Sequence, residues 1–161
     1  MDFEQRLSKA IQRGHRTSEE KALVKDKKQL TEDELRSLHS QFRLPLTEQI
    51  ESCLRRLPDH FPGFQYSTVM DEKGWGAEVR RDDVGAGSDG KRANFFSRLE
   101  MVIRPFSKSH VVDLAAKGAI RNKEIFNRSH YQRLTEADVE TFAEMIDLWV
   151  LEYVELYAAK S

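Results

Sequence analysis

Along this chain the apolar positions recur first at a helical period, then at a period of two, then at a helical period again. Phe3, Leu7, Ala10 and Ile11 share one face of a short segment that Asp2 can cap and Gly14 can end. Thr17 with Glu20, and Thr31 with Glu34, have capping-box spacing, in which hydroxyl and carboxylate satisfy orphan N–H groups at a helix start. The highly charged stretch between them has little to bury. Leu35, Leu38 and Phe42 then repeat at helical spacing as far as Pro45, where a break is expected. Thr47 can cap a further helix bearing Leu46, Ile50, Cys53, Leu54 and Leu57, which Pro58 would end.

From Phe64 the pattern changes to alternation. FQYSTVM, the turn DEKG and WGAEVRR read as a β-hairpin, and residues 82–93 as a loop. In the next strand Phe95, Leu99, Met101 and Ile103 face one way, and Arg98, Glu100 and Arg104 the other. Val112, Leu114, Ala116, Gly118 and Ile120 alternate in the same manner with Asp113, Lys117 and Arg121. Arg121-Asn122 suits a hairpin turn into a segment of ambiguous alternation, where His130 or Tyr131 extends the polar face. Connections this short require antiparallel neighbours, because parallel strands need long crossovers.

Thr135 with Asp138 can cap a last helix running to about Ala158, roughly 35 Å long at 1.5 Å per residue. Its apolar half carries Val139, Phe142, Ala143, Met145, Ile146, Trp149, Val150, Tyr153, Val154, Leu156 and Tyr157, while Leu148 and Leu151 stand among the acids of the other half. The expected fold class is therefore α+β: short N-terminal helices, an antiparallel meander of about five strands, and a long C-terminal amphipathic helix on one sheet face. Residues 1–161 read as a single domain, with a mobile helical arm at 1–30, helices at 31–60, the sheet at 64–131 and the last helix at 135–158.

Composition narrows the function classes. Hydrophobic residues at 39% can build a core, which argues against disorder of the whole chain. No apolar run is long enough to span a bilayer, and the first residues lack the apolar centre of a secretory signal. The single cysteine, Cys53, excludes an internal disulfide and a thiolate metal cluster, so a cytoplasmic location is expected. Charge is uneven: residues 91–133 hold ten Lys/Arg against three acids, a net of +7, while 134–161 hold seven acids against Lys160, a net of −6.

No catalytic constellation emerges from the motifs. Gly85, Gly87, Gly90 and Lys91 fit two phosphate-loop patterns, but both need a helix to follow the loop, and here a strand follows. The five histidines show no paired metal-ligand spacing, and Cys53 falls on an apolar helix face, so no cofactor or metal is expected. The alternation puts Arg98, Arg104, Lys117 and Arg121 on one outer sheet face, a candidate anion or nucleic-acid surface. Against nucleic acid stand the near-neutral net charge and the lack of an aromatic recognition run. The apolar surplus of Phe3, Leu7 and Ile11, with that of Leu148 and Leu151, points to an interaction surface. The expectation is a non-enzymatic protein-interaction module, partnered by itself as a homodimer or by another protein and not by a membrane, with anion or nucleic-acid binding as the alternative.

Overall fold

The computed structural model describes residues 2–28, 30–87 and 89–160, with residues 19–28 described by their backbone alone. The chain divides into two compact units, Met1–Leu35 and Arg36–Ser161.

The first unit is built on helix α1 (Phe3–Lys28). Asp2 caps it as expected, Oδ1 accepting from the Gln5 N–H at 2.9 Å. The stop expected at Gly14 does not occur. A glycine inside an exposed helix costs only about 1 kcal/mol relative to alanine, less than a cap must supply to end it. Thr17 does not start a new helix either: its hydroxyl donates to the Arg13 carbonyl one turn back. Glu20, the partner expected for that cap, has a side chain outside the described residues. The second expected box forms, with Glu34 N–H donating to Thr31 Oγ1 at 3.2 Å and Thr31 Oγ1 donating to the Glu34 carboxylate at 3.1 Å.

Helix α2 (Glu32–Arg55) begins there and runs straight through Pro45. The break expected before Pro45 is absent because the apolar stripe continues across it. His39, Leu46, Ile50 and Leu54 are buried at spacings of four to seven residues, the last three completely. Burial of three such side chains, at about 2 kcal/mol each, exceeds the roughly 3 kcal/mol that an interior proline costs. Thr47 is accordingly no cap; its hydroxyl donates to the Arg43 carbonyl at 2.6 Å. Pro58 does not end a helix but sits in the first turn of a short one, α3 (Leu57–His60).

Five strands follow: β1 (Gln65–Asp71), β2 (Gly74–Ala86), β3 (Arg92–Ile103), β4 (Val111–Ile120) and β5 (Lys123–Arg133). They form one antiparallel sheet in the order 1-2-3-4-5, the expected meander. The loop expected at 82–93 is mostly strand, since β2 and β3 stay paired out to Ala86↔Arg92. Beyond that pairing the Gly87 N–H donates to the Lys91 carbonyl at 2.7 Å, and Gly90 stands at φ +76°. Arg121-Asn122 makes the β4–β5 turn with both residues at positive φ, the geometry of a two-residue type I′ hairpin.

The last helix, α4 (Val139–Lys160), starts four residues later than Thr135. Asp138 caps it through the Glu140 N–H at 3.2 Å. Phe142, Ile146, Val150, Tyr153 and Tyr157 bury its apolar stripe against the sheet. α2 lies beside α4 on that same sheet face, joined to it through Gln49 and Asp147, whose Nε2–Oδ1 distance is 2.6 Å. The core is the layer between these helices and the inward row Ala77, Val79, Leu99, Met101, Ile103, Leu114 and Ala116.

Candidate functional site

Pairing in register fixes which side chains share the open face of the sheet. Glu78 on β2 stands opposite Glu100 on β3, and Glu100 opposite Lys117 on β4. Arg98, one pleat away on β3, resolves the carboxylate pair. Its Nε lies 3.0 Å from Glu78 Oε1, and its Nη2 is bonded to Glu100 Oε2. Like charges directly opposite across a ladder are destabilising, so this guanidinium is committed to holding β2 and β3 together. Glu100 is only 6% exposed although it sits on the uncovered face. Arg104 is likewise engaged, 3.2 Å from Asp113 Oδ2, and Arg80 lies 3.3 Å from Asp82 Oδ1.

Of the four residues expected to form an anion surface, Arg98, Lys117 and Arg104 lie on or beside this face, two of them in ion pairs. Arg121 is elsewhere. The left-handed backbone of the type I′ turn swings it to the helix-covered side, where its guanidinium covers the Phe95 ring at 4.7 Å. Strict alternation could not reveal this, because it holds only along the extended strand, which ends at Ile120, and a residue at positive φ leaves the pleat. On β5, Tyr131 points out and is 66% exposed, while His130 points in and meets the Phe142 ring edge-on at 5.3 Å.

The helical side of the second unit holds a larger concavity. A groove of about 610 Å³ runs between α2–α3 and the C-terminal half of α4. Leu57, Phe61, Val150, Leu151 and Val154 supply its apolar wall. At one side Asp147 Oδ1 accepts from both Gln49 Nε2 and Cys53 Sγ, the sulfur at 3.2 Å. Burial first, and the Asp147 carboxylate second, push the Cys53 thiol up to about 12, so at neutral pH it is a protonated donor. Sequence placed Cys53 on an apolar helix face; the structure puts it at the lip of a groove, because Gln49, one turn earlier, and Asp147 of α4 converge on it. His60 and Arg56 also line the groove.

Leu151, at 62% exposed, stands at the rim of this groove, and Leu148, at 56%, is exposed one turn earlier on the same helix. In the first unit Phe3, Leu7 and Ile11 form an exposed row at i, i+4 and i+8 along α1. These are the five apolar residues expected to form an interaction surface, and all five are exposed.

Other chemistry can be located. The Gly85–Lys91 segment is the tip of a hairpin and opens no helix. Asp82 and Asp83, at the start of the expected 82–93 loop, are strand residues in ion pairs with Arg80 and Arg81. Among the described residues no group of three or more His, Cys, Asp or Glu could hold a metal ion, and no helix is long and apolar enough to cross a membrane. In comparisons with known proteins the chain matches no family model, no curated protein and no solved structure.

Proposed function

We propose that this protein is a self-associating interaction module in which α1 of one copy lies in the α2–α4 groove of another. The observation that carries the reading is an apolar groove and an exposed apolar helix row of matching geometry on the same chain. A helix laid into a groove engages it with residues at i, i+4 and i+8, the spacing of Phe3, Leu7 and Ile11. Leucine and valine side chains on α4 and the Phe61 ring offer the complementary wall.

Charge gives the occupant its identity. Flanking the apolar row, α1 carries Arg6, Lys9, Arg13 and Arg16. Helix α4 carries Glu140, Glu144, Asp147, Glu152 and Glu155 against Lys160 alone. Exposed pairs between them contribute under about 1 kcal/mol each, so they set orientation and partner choice while apolar burial supplies the affinity. Helices in proteins draw most of their stability from packing an apolar face, and docking the exposed Phe3, Leu7 and Ile11 row would supply that packing.

Sedimentation velocity over a concentration series tests the proposal. The full chain should sediment as a dimer, and both Leu7→Glu/Ile11→Glu and Leu151→Glu should shift it to monomer with the far-UV circular dichroism of the sheet retained. An intact protein that remains monomeric at about 100 μM, above the dissociation constants of functional dimers, overturns it.

A further inference from the structure

A second, smaller concavity opens where α4 ends over the extended β2–β3 hairpin. It holds about 290 Å³ and is lined by Arg81, Asp83, Val84, Ile120, Arg121, Tyr157 and Lys160. We infer that this cavity is a binding site for the phosphate monoester of a small molecule.

Arg121 is held rigidly at the cavity wall. Its backbone is pinned in a left-handed conformation at φ +50°, with the N–H donating to Oγ of buried Ser97 at 3.1 Å. The next residue clamps the same turn: Asn122 Oδ1 accepts from the Phe96 N–H at 2.8 Å, and its Nδ2 donates to the Asn94 carbonyl. The guanidinium plane lies over the Phe95 ring. Gly85 leaves the room for that pair, since a Cβ there would stand 3.2 Å from Phe95 and 3.5 Å from Arg121 Nη2. A guanidinium fixed in this way loses little side-chain entropy when it takes an oxyanion. Among the described residues Arg121 has no acidic partner, and neither has Lys160 at the rim.

Opposite them, Arg81 is only partly used by the protein. Nε meets Asp83 at 3.0 Å, and Nη1 donates to the Pro62 carbonyl and to the Tyr157 hydroxyl oxygen. Tyr157 accepts in that bond, so its own O–H is left to donate into the cavity. Three cations against the Asp83 carboxylate leave a net of +2 in the lining, which a phosphate monoester of charge near −2 neutralises. The remaining wall is apolar, formed by Val84, Ile120 and the Tyr157 ring, and suits a small organic group on the ester. A nucleic-acid strand would need a continuous basic track, and on the other sheet face Asp82, Glu78 and Glu100 break it by pairing with Arg80 and Arg98.

Titration calorimetry on the full chain at low salt, with phenyl phosphate and with inorganic phosphate, decides the matter. Phenyl phosphate should bind more tightly than inorganic phosphate. Arg121→Gln and Lys160→Gln should each weaken it about tenfold, as expected for loss of one hydrogen bond to a charged group. Lys117→Gln, on the open sheet face, should leave it unchanged. Affinity should also fall below pH ~6 as the second phosphate proton binds. No heat up to about 10 mM phenyl phosphate, near the weakest affinity worth calling a site, overturns the inference. So does binding that survives the Arg121→Gln/Lys160→Gln double change, or inorganic phosphate binding as tightly as the ester. Arg121, Lys160 and Lys117 are exposed, and circular dichroism of each variant checks its fold.

Discussion

Cys53 shows how one residue's chemistry is set by what stands beside it. Half-buried, with its S–H aimed at a carboxylate, it resists deprotonation twice over, through lost solvation and through the Asp147 charge. Its reaction with iodoacetamide in the native protein should therefore be more than about tenfold slower than in urea at the same pH. Asp147→Asn, which removes the charge and keeps the shape, should speed it several-fold; equal native rates for the two proteins would refute the assignment. His39 makes a similar case with the opposite proton count. It is 3% exposed, and its Nε2 lies 3.0 Å from the Arg104 carbonyl oxygen, so this nitrogen carries the proton and donates. Burial, helped by the Arg43 and Arg36 charges, holds it below the ordinary 6.5. The unfolded chain thus binds a proton the native one refuses. Its contribution to stability is complete above pH 6.5 and is lost as the pH falls below that value. Urea midpoints should decline from pH 7.5 to 5, and His39→Gln, which keeps an N–H for Arg104, should flatten the slope. An identical slope in the variant would show that other groups carry it.

At the scale of elements, Gly118 is where β4 meets α4. A Cβ at this position would stand 3.0 Å from Phe126 and 3.1 Å from Tyr153, two rings already packed edge to face at 6.4 Å. Neither ring can retreat freely, because Tyr153 also donates its hydroxyl to the Ala119 carbonyl at 2.9 Å, at the register shift of the β4–β5 ladder. Gly118→Ala should cost about 1–3 kcal/mol by overpacking. Tyr153→Phe should cost about 1–2 kcal/mol by orphaning that carbonyl. Thermal unfolding of both variants measures this, and an unchanged midpoint for Gly118→Ala would mean that the helix does not sit this close. The Arg128–Glu152 pair, with Nη1 to Oε2 at 2.7 Å and Nη2 to Oε1 at 3.2 Å, ties β5 to the same helix from the other side.

For the whole molecule, the uneven charge of the chain finds different fates in different places. The basic segment 91–133 does not make a basic sheet face. Arg98 and Arg104 are spent on Glu78, Glu100 and Asp113, Arg128 on Glu152, and Arg121 is carried to the far end. The acidic side of α4 retains its excess, with exposed Leu148 and Leu151 among the carboxylates. That combination is what gives the self-association proposal its specificity. Of the four cations in the alternative reading, an anion surface on the outer sheet face, Arg98 and Arg104 are held in ion pairs and Arg121 lies on the other side.

Periodicity alone determined the α+β class, the five antiparallel strands, the inward rows of β3 and β4, the Arg121-Asn122 turn and the five apolar residues left over. Each of these follows from local geometry, a period of two or of 3.6, that any stretch of chain expresses by itself. Only the tertiary structure decided whether Pro45 breaks a helix, because the answer depends on how much apolar area the continuing helix buries elsewhere. It also decided where Arg121 points, since a turn at positive φ takes it out of the pleat, and which cations stay unpaired, since cross-strand partners lie far apart in sequence. Both concavities belong to this second class. Their walls come from α2, α3 and α4, or from β2, β4 and α4, and no single segment carries the pattern of a surface that several must assemble.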